Sequence, residues 1–165
     1  MLLGGDLRMV YNRKKELSWV LFPLAVGAVS GFLSRQGMAN YEVTAYKPSL
    51  SPPAIIFPVV WTILYLLMGI GTARINRLSL GRDKSAALNV FFIQLVVNFF
   101  WSLFFFNTHA YGFSFVWLLL LLILAVIMAV LYYREDKIAG LIQIPYIIWL
   151  LFAAYLNYEV WQRNR

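Results

Sequence analysis

Gln94, Asn98 and Trp101 stand at i, i+4 and i+7 inside a long apolar run, so on a helix they share one face. An unpaired amide in hydrocarbon costs on the order of several kcal/mol, so that face must turn toward a bundle interior or a cavity. Two further stripes accompany it: Trp61, Tyr65 and Met68 at i, i+4, i+7, and Tyr146, Trp149, Ala153 and Leu156 at i, i+3, i+7, i+10. Aromatic walls with a few polar groups are what a pocket for a flat, mostly apolar ligand requires, and small Ala153 leaves room beside Trp149. Taken singly, each stripe is explained by core packing, and each amide by an interhelical hydrogen bond worth about 1 kcal/mol. Together they favour a pocket, with Asn98 as its polar handle and Trp101 as a wall.

Other chemistries find little support. The seven carboxylates (Asp6, Glu16, Glu42, Asp83, Glu135, Asp136 and Glu159) fall in tails, loops or the ends of apolar runs, so no acid–base pair sits within them. Hydrolytic catalysis is therefore not expected. There is no cysteine, which removes disulfides, thiol nucleophiles and zinc–thiolate or iron–sulfur sites. His109, the single histidine, lies in the loop "NTHAYG" and reads as a solvated residue, because a metal site needs several converging ligands. No metal is expected.

The elements that must position these residues are long helices. The chain is 62% hydrophobic and 13% charged, with mean hydropathy +0.72, outside the range of soluble domains. Five stretches, about 18–35, 53–73, 86–107, 113–133 and 138–161, are long enough to cross hydrocarbon ~30 Å thick. None alternates with period two as barrel strands would. Breakers lie between them: "KPSLSPP", "RLSLGRDKS", "NTHAYG" and "REDK". The expected architecture is a single domain over 1–165, an all-α membrane protein with five transmembrane helices. A basic cytoplasmic tail occupies 1–17.

The net charge of +7 sits in the gaps between apolar runs, which suits a bilayer rather than nucleic acid. Arg8, Arg13, Lys14, Lys15, Arg74, Arg77, Arg82, Lys84, Arg134 and Lys137 share one side; Arg35, Lys47, Arg163 and Arg165 share the other. That bias places the amino terminus in the cytoplasm and the carboxyl terminus outside. Trp19, Tyr132, Tyr133 and Trp161 fall near span ends, as interfacial anchors do. Gly27 and Gly31 have the GxxxG spacing, which serves either a dimer face or one crowded spot within the bundle. Prolines in "YKPSLSPPAIIFP" make Lys47 to Pro52 extended or turned, with Ser51 a potential N-cap and Pro52 or Pro53 suited to the first turn of the second helix. The segment from about Gln36 to Ser51 is read as a long loop covering the pocket, or as a passive connector.

The blocks "YKPSLSPPAIIFPVVWTILYLLMG", "NFFWSLFFF" and "PYIIWLLFAAYLNYEVWQRN", in this order and spacing, give the chain a resemblance to the TspO/translocator protein family, also called tryptophan-rich sensory proteins and peripheral-type benzodiazepine receptors. The resemblance implies a five-helix membrane protein that binds porphyrins, in some members sterols or synthetic aromatic ligands, inside the bundle. It places Trp61, Asn98, Trp101, Trp149, Ala153 and Leu156 at pocket positions; Tyr65, Gln94 and Tyr146 rest on spacing alone. Leu156, Tyr158 and Arg163 fit a proposed cholesterol-contact pattern that is weak and otherwise reads as interfacial anchoring. Leu50 stands where many relatives have an aromatic residue. The resemblance further implies a homodimer in a bacterial plasma membrane, with porphyrin as ligand and no resident cofactor. The function expected is tetrapyrrole binding and sensing. Light-dependent porphyrin degradation needs no acid–base pair and stands as the alternative. Transport is the third reading, without the paired half-helices or buried ion pair that alternating access uses.

Overall fold

A computed structural model of the chain describes residues 13–78, 81 and 83–164. Asp6, Arg8, Arg82 and Arg165 lie outside the described residues. The elements are α1 (Arg13–Thr44), α2 (Ile56–Leu78), α3 (Lys84–Ser102), a π-helical turn (Leu103–Asn107), α4 (Tyr111–Glu135), α5 (Lys137–Leu141) and α6 (Ile144–Arg163). Among the described residues there is no strand. Five runs are long and apolar enough to cross a membrane, the third ending in the π turn and the fifth joining α5 to α6. α1 lies against α2 and the π turn, α3 against α4, and α4 against α6. α6 reaches α2 and α3 through long side chains rather than by close backbone approach.

The first helix departs from expectation. It runs through Thr44, so the segment from Gln36 onward is helical and only residues 45–55 form the loop before α2. Gly37 does not stop the helix. A Cβ there would strike the Phe106 carbonyl and the Asn107 side chain, so this glycine lets α1 lie on the π turn. The helix ends at Thr44, and Pro48 four residues on, lacking a donor for the Thr44 carbonyl and with its φ fixed, keeps it from resuming. Ser51 donates its N–H to Pro48 O at 3.0 Å within a turn and does not cap α2, which begins at Ile56 after a second turn closed by Ile56 N–H on Pro53 O. Pro58 rather than Pro52 or Pro53 occupies the first turn of α2.

The loop is fastened at its start. Asn164 accepts from Tyr46 N–H at 2.9 Å and donates to Tyr46 O at 3.0 Å, tying the loop to the end of α6. Leu50 projects into the surroundings. At the opposite end of the bundle, Glu135 accepts from Gly81 N–H and Asp83 N–H, both at 3.1 Å. Asp136 caps α5 by accepting from Ala139 N–H at 2.7 Å and holds Arg74 of α2 in a two-pronged pair at 3.1 and 2.8 Å.

Small residues set the helix contacts. Pro23 leaves the Trp19 carbonyl without its intrahelical donor, and Gly69 is where α2 comes against that carbonyl and the backbone of Val20. A Cβ on Gly27 would enter the Tyr65 ring, whereas one on Gly31 would meet nothing within 4 Å. Gly27 therefore serves a crowded spot inside the chain, and Gly31 does not share it. Of the expected interfacial anchors, Tyr133 is exposed, but Tyr132 is buried and bonded to Thr72 Oγ1 at 2.7 Å. Its ring follows the inner face of α4, one position round the helix from its neighbour.

Candidate functional site

α3 supplies the polar centre. Gln94 and Asn98, one turn apart, are both buried and aimed at α6 and α2. Asn98 Oδ1 accepts from the Tyr65 hydroxyl at 2.6 Å, and Asn98 Nδ2 donates to the Tyr146 hydroxyl at 2.9 Å. The Tyr146 hydroxyl in turn donates to Gln94 Oε1 at 2.9 Å, and Gln94 Nε2 donates to Met68 Sδ at 3.4 Å. One chain of hydrogen bonds thus crosses three helices. Each link has a fixed direction, because the amide oxygens accept only and a hydroxyl that gives its proton to Gln94 must receive one from Asn98. Desolvated polar groups are costly unless paired, so this chain locks the spacing of α2, α3 and α6.

Aromatic rings fill the gap around it. Trp61 lies 5.5 Å from Tyr65, 6.3 Å from Trp101 and 6.3 Å from Tyr146, centroid to centroid. Trp101 stacks on Phe105 at 5.4 Å, and its Nε1 donates to Asn157 Oδ1 at 3.2 Å. Asn157 then donates to the Tyr111 carbonyl at 2.8 Å, which links the site to α4. Trp149 packs against Phe57 at 5.9 Å and Phe152 at 5.6 Å. Its Nε1 is buried and has no hydrogen-bond partner. Trp61 and Trp149 are only half-buried, unlike Tyr65, Asn98, Trp101 and Tyr146.

The expected site residues therefore divide. Trp61, Tyr65, Gln94, Asn98, Trp101 and Tyr146 meet in one cluster. Ala153 belongs to the same apolar core, and Leu156 is buried outside it. Trp149 stands at the edge, beside Phe57. Leu156, Tyr158 and Arg163 do not form one surface: Leu156 points inward, Tyr158 is exposed, and Arg163 pairs with Glu159 at 3.0 Å. His109 is exposed, with φ 54° in the left-handed region, and among the described residues no group of three metal-ligating side chains occurs. Two cavities lie away from this cluster, one between α1 and α3 beside Phe22, Phe92 and Phe99, the other between α1 and α2.

Asn157 escaped the sequence reading, although its signal was present. It stands at i+11 from Tyr146, where the helical stripe that was followed to Leu156 continues. Met68 lies on the Trp61 stripe, and its spacing carries no sign that its sulfur accepts from Gln94. A serine cluster also escaped: Ser30 and Ser34, one turn apart on α1, both lie 2.8 Å from the Ser102 hydroxyl, and Ser30 donates to Phe99 O at 2.9 Å. The Ser30–Ser34 spacing was its only trace in the sequence. The cluster supports the backbone where α3 gives way to the π turn, a kind of irregularity that often sits beside functional sites.

The cluster holds no paired acid and base. It offers flat aromatic faces and, at its edge on Trp149, one buried indole N–H without a partner, which suits retention of a flat ligand bearing a hydrogen-bond acceptor.

Residues 19–162 match the TspO/MBR family. The tryptophan-rich protein TspO of Chlorobaculum tepidum is 36% identical over 144 residues, covering 86% of this chain and 90% of the relative. Protein CrtK of Rhodobacter capsulatus is 38% identical over 120 residues, 72% of this chain and 74% of the relative. The translocator protein of Homo sapiens is 33% identical over 137 residues, with 82% and 80% covered. A family match across all five spans, together with these relatives, leads to one conclusion: the chain is a multi-pass membrane protein that belongs to the TspO/MBR family.

Proposed function

We propose that the chain is a membrane receptor that binds porphyrin-like tetrapyrroles, or flat apolar molecules of similar shape such as sterols, between α2, α3 and α6. The observation that carries this reading is the indole N–H of Trp149, buried and without a partner, on a half-buried ring packed against Phe57 of α2. A buried donor left unsatisfied costs about 1–3 kcal/mol, a cost that an acceptor on a ligand would remove. In this structure the rings of the site pack on one another, so a ligand enters by displacing Trp61 and Trp149 rather than by filling an open cavity. The Tyr65–Asn98–Tyr146–Gln94 chain supplies the rigid floor. The same reading has the receptor working as a homodimer in a bacterial plasma membrane, with the amino terminus in the cytoplasm. Membership in a family whose relatives are named for their tryptophans supports it.

The test is to purify the protein from its own membrane, extract it with solvent and identify what travels with it. A stoichiometric tetrapyrrole or other flat polycycle is expected. Recovery of acyl lipids alone would contradict the proposal.

A further inference from the structure

α1 and α2 touch closely where Gly69 meets the Val20 backbone and the Trp19 carbonyl. Toward the end of the bundle where α1 begins and α2 finishes, the two helices leave a hollow. Between them lies a cavity of about 520 Å³, floored by Leu17, Val20, Ile70 and Ala73 and rimmed by Glu16, Arg74 and Arg77. Glu16 and Arg77 pair across its mouth at 3.3 Å. Leu17 is 56% and Ile70 42% exposed, so the cavity opens sideways toward the hydrocarbon of a surrounding bilayer.

At the rim two guanidiniums face two carboxylates, Arg74 with Asp136 and Arg77 with Glu16, but the end of the bundle as a whole is uneven in charge. Arg74 spends two of its five N–H donors on Asp136, leaving the others for a further anion. The same end of the bundle carries Lys14, Lys15, Arg74, Arg77, Lys84, Arg134 and Lys137 against Glu16, Asp83, Glu135 and Asp136, so it keeps a net positive charge. Glu16 and Asp136 hold the two guanidiniums in place, and the positive excess of that end of the bundle supplies the field.

We propose that this cavity is a binding site for an anionic phospholipid from the leaflet at the basic end of the bundle. An acyl chain lies against Leu17, Val20, Ile70 and Ala73, and the phosphodiester sits between Arg74 and Arg77. Basic pockets between membrane helices select anionic head groups by this combination of charge and apolar floor. A free phosphate would gain nothing from the floor. A zwitterionic lipid would bring its ammonium toward two guanidiniums. The site is separate from the aromatic cluster, shares no residue with it, and does not depend on that cluster's ligand.

Native mass spectrometry on protein released from bilayers of equal phosphatidylglycerol and phosphatidylcholine tests this. Wild type should retain phosphatidylglycerol over phosphatidylcholine by about fivefold, the worth of one well-placed cation near a membrane surface. Arg77→Gln should bring the ratio close to one. Ile70→Trp, at a lipid-exposed position, should fill the cavity and reduce retention of both lipids without changing any charge. Arg134→Gln, at the same end but outside the cavity, should leave the ratio intact. Equal retention of the two lipids by wild type would overturn the proposal. So would an equal loss in Arg134→Gln and Arg77→Gln, or full displacement of the lipid by glycerol phosphate, which would mark a site for free phosphate.

Discussion

Asn98 and Tyr146 are joined by a 2.9 Å hydrogen bond across the space that separates the backbones of α3 and α6. Because Asn98 also accepts from Tyr65, one amide fixes three helices at the depth where the aromatic stripes converge. Asn98 is therefore a tie between helices, and its replacement acts on stability first.

Asn98→Leu should leave the buried Tyr65 hydroxyl without its acceptor. The expected loss of stability is about 1–3 kcal/mol, the usual cost of orphaning a buried polar group. Thermal melts in one detergent measure it. Adding Tyr65→Phe to Asn98→Leu should recover part of the loss, since the orphan is then removed. An unchanged melt for Asn98→Leu would contradict the hydrogen-bond chain.

The α1–α2 crossing gives a second expectation. Gly69→Val should push against the Val20 backbone, which cannot yield as a side-chain tip can, and should cost about 1–3 kcal/mol by overpacking. Gly31→Ala, with open space at its Cα, should be neutral or slightly stabilising because alanine is the better helix former. Melting temperatures of the two variants should separate clearly. Equal effects would mean that the GxxxG glycine Gly31 packs against something outside the chain.

The legible part of this protein was the part dictated by hydrocarbon. Five spans follow from apolar length alone, and the facing of Gln94 and Asn98 follows from the cost of exposing amides to lipid. The end of α1 was not legible, because "RQGMANYEVT" has no breaker strong enough to mark it and Gly37 looks like a stop while serving a close contact. Helical spacing also could not say which polar atom meets which. Asn98 and Trp149 stand out equally in the sequence, yet one is bonded through both ends of its amide and the other has a bare indole N–H. That distinction depends on the distances between helices, which no single stripe encodes.

Asp136 carries the acid sensitivity of the basic end. The Arg74 guanidinium bonded to it holds its carboxyl below the usual carboxylate range, with the Ala139 N–H adding to the effect and partial burial opposing it. A depressed pKa in the folded state contributes stability above the ordinary carboxylate pKa, and that contribution is lost as pH falls through the lower folded value. Melting temperature should therefore fall as the solution is acidified below about pH 4, where unfolded aspartates begin to bind protons. Asp136→Asn keeps a helix-capping side chain but removes the titration, so it should be less stable at neutral pH and show a flatter acid limb. A variant with the wild-type acid limb would assign that limb to other carboxylates.

In the proposed function a flat ligand binds between α2, α3 and α6, reaching the unpartnered N–H of Trp149. Titration of purified protein with protoporphyrin, read by quenching of tryptophan fluorescence, tests it most directly when Trp149→Phe is set beside Trp117→Phe. Trp117 already spends its Nε1 on the Val97 carbonyl at 2.8 Å, so its loss should leave affinity within about twofold, the effect expected away from the site. Trp149→Phe removes the free donor and part of a stacking face, together worth roughly 1–2 kcal/mol, or about a tenfold rise in Kd. Equal affinities for wild type and Trp149→Phe, or equal losses at the two tryptophans, would contradict the claim.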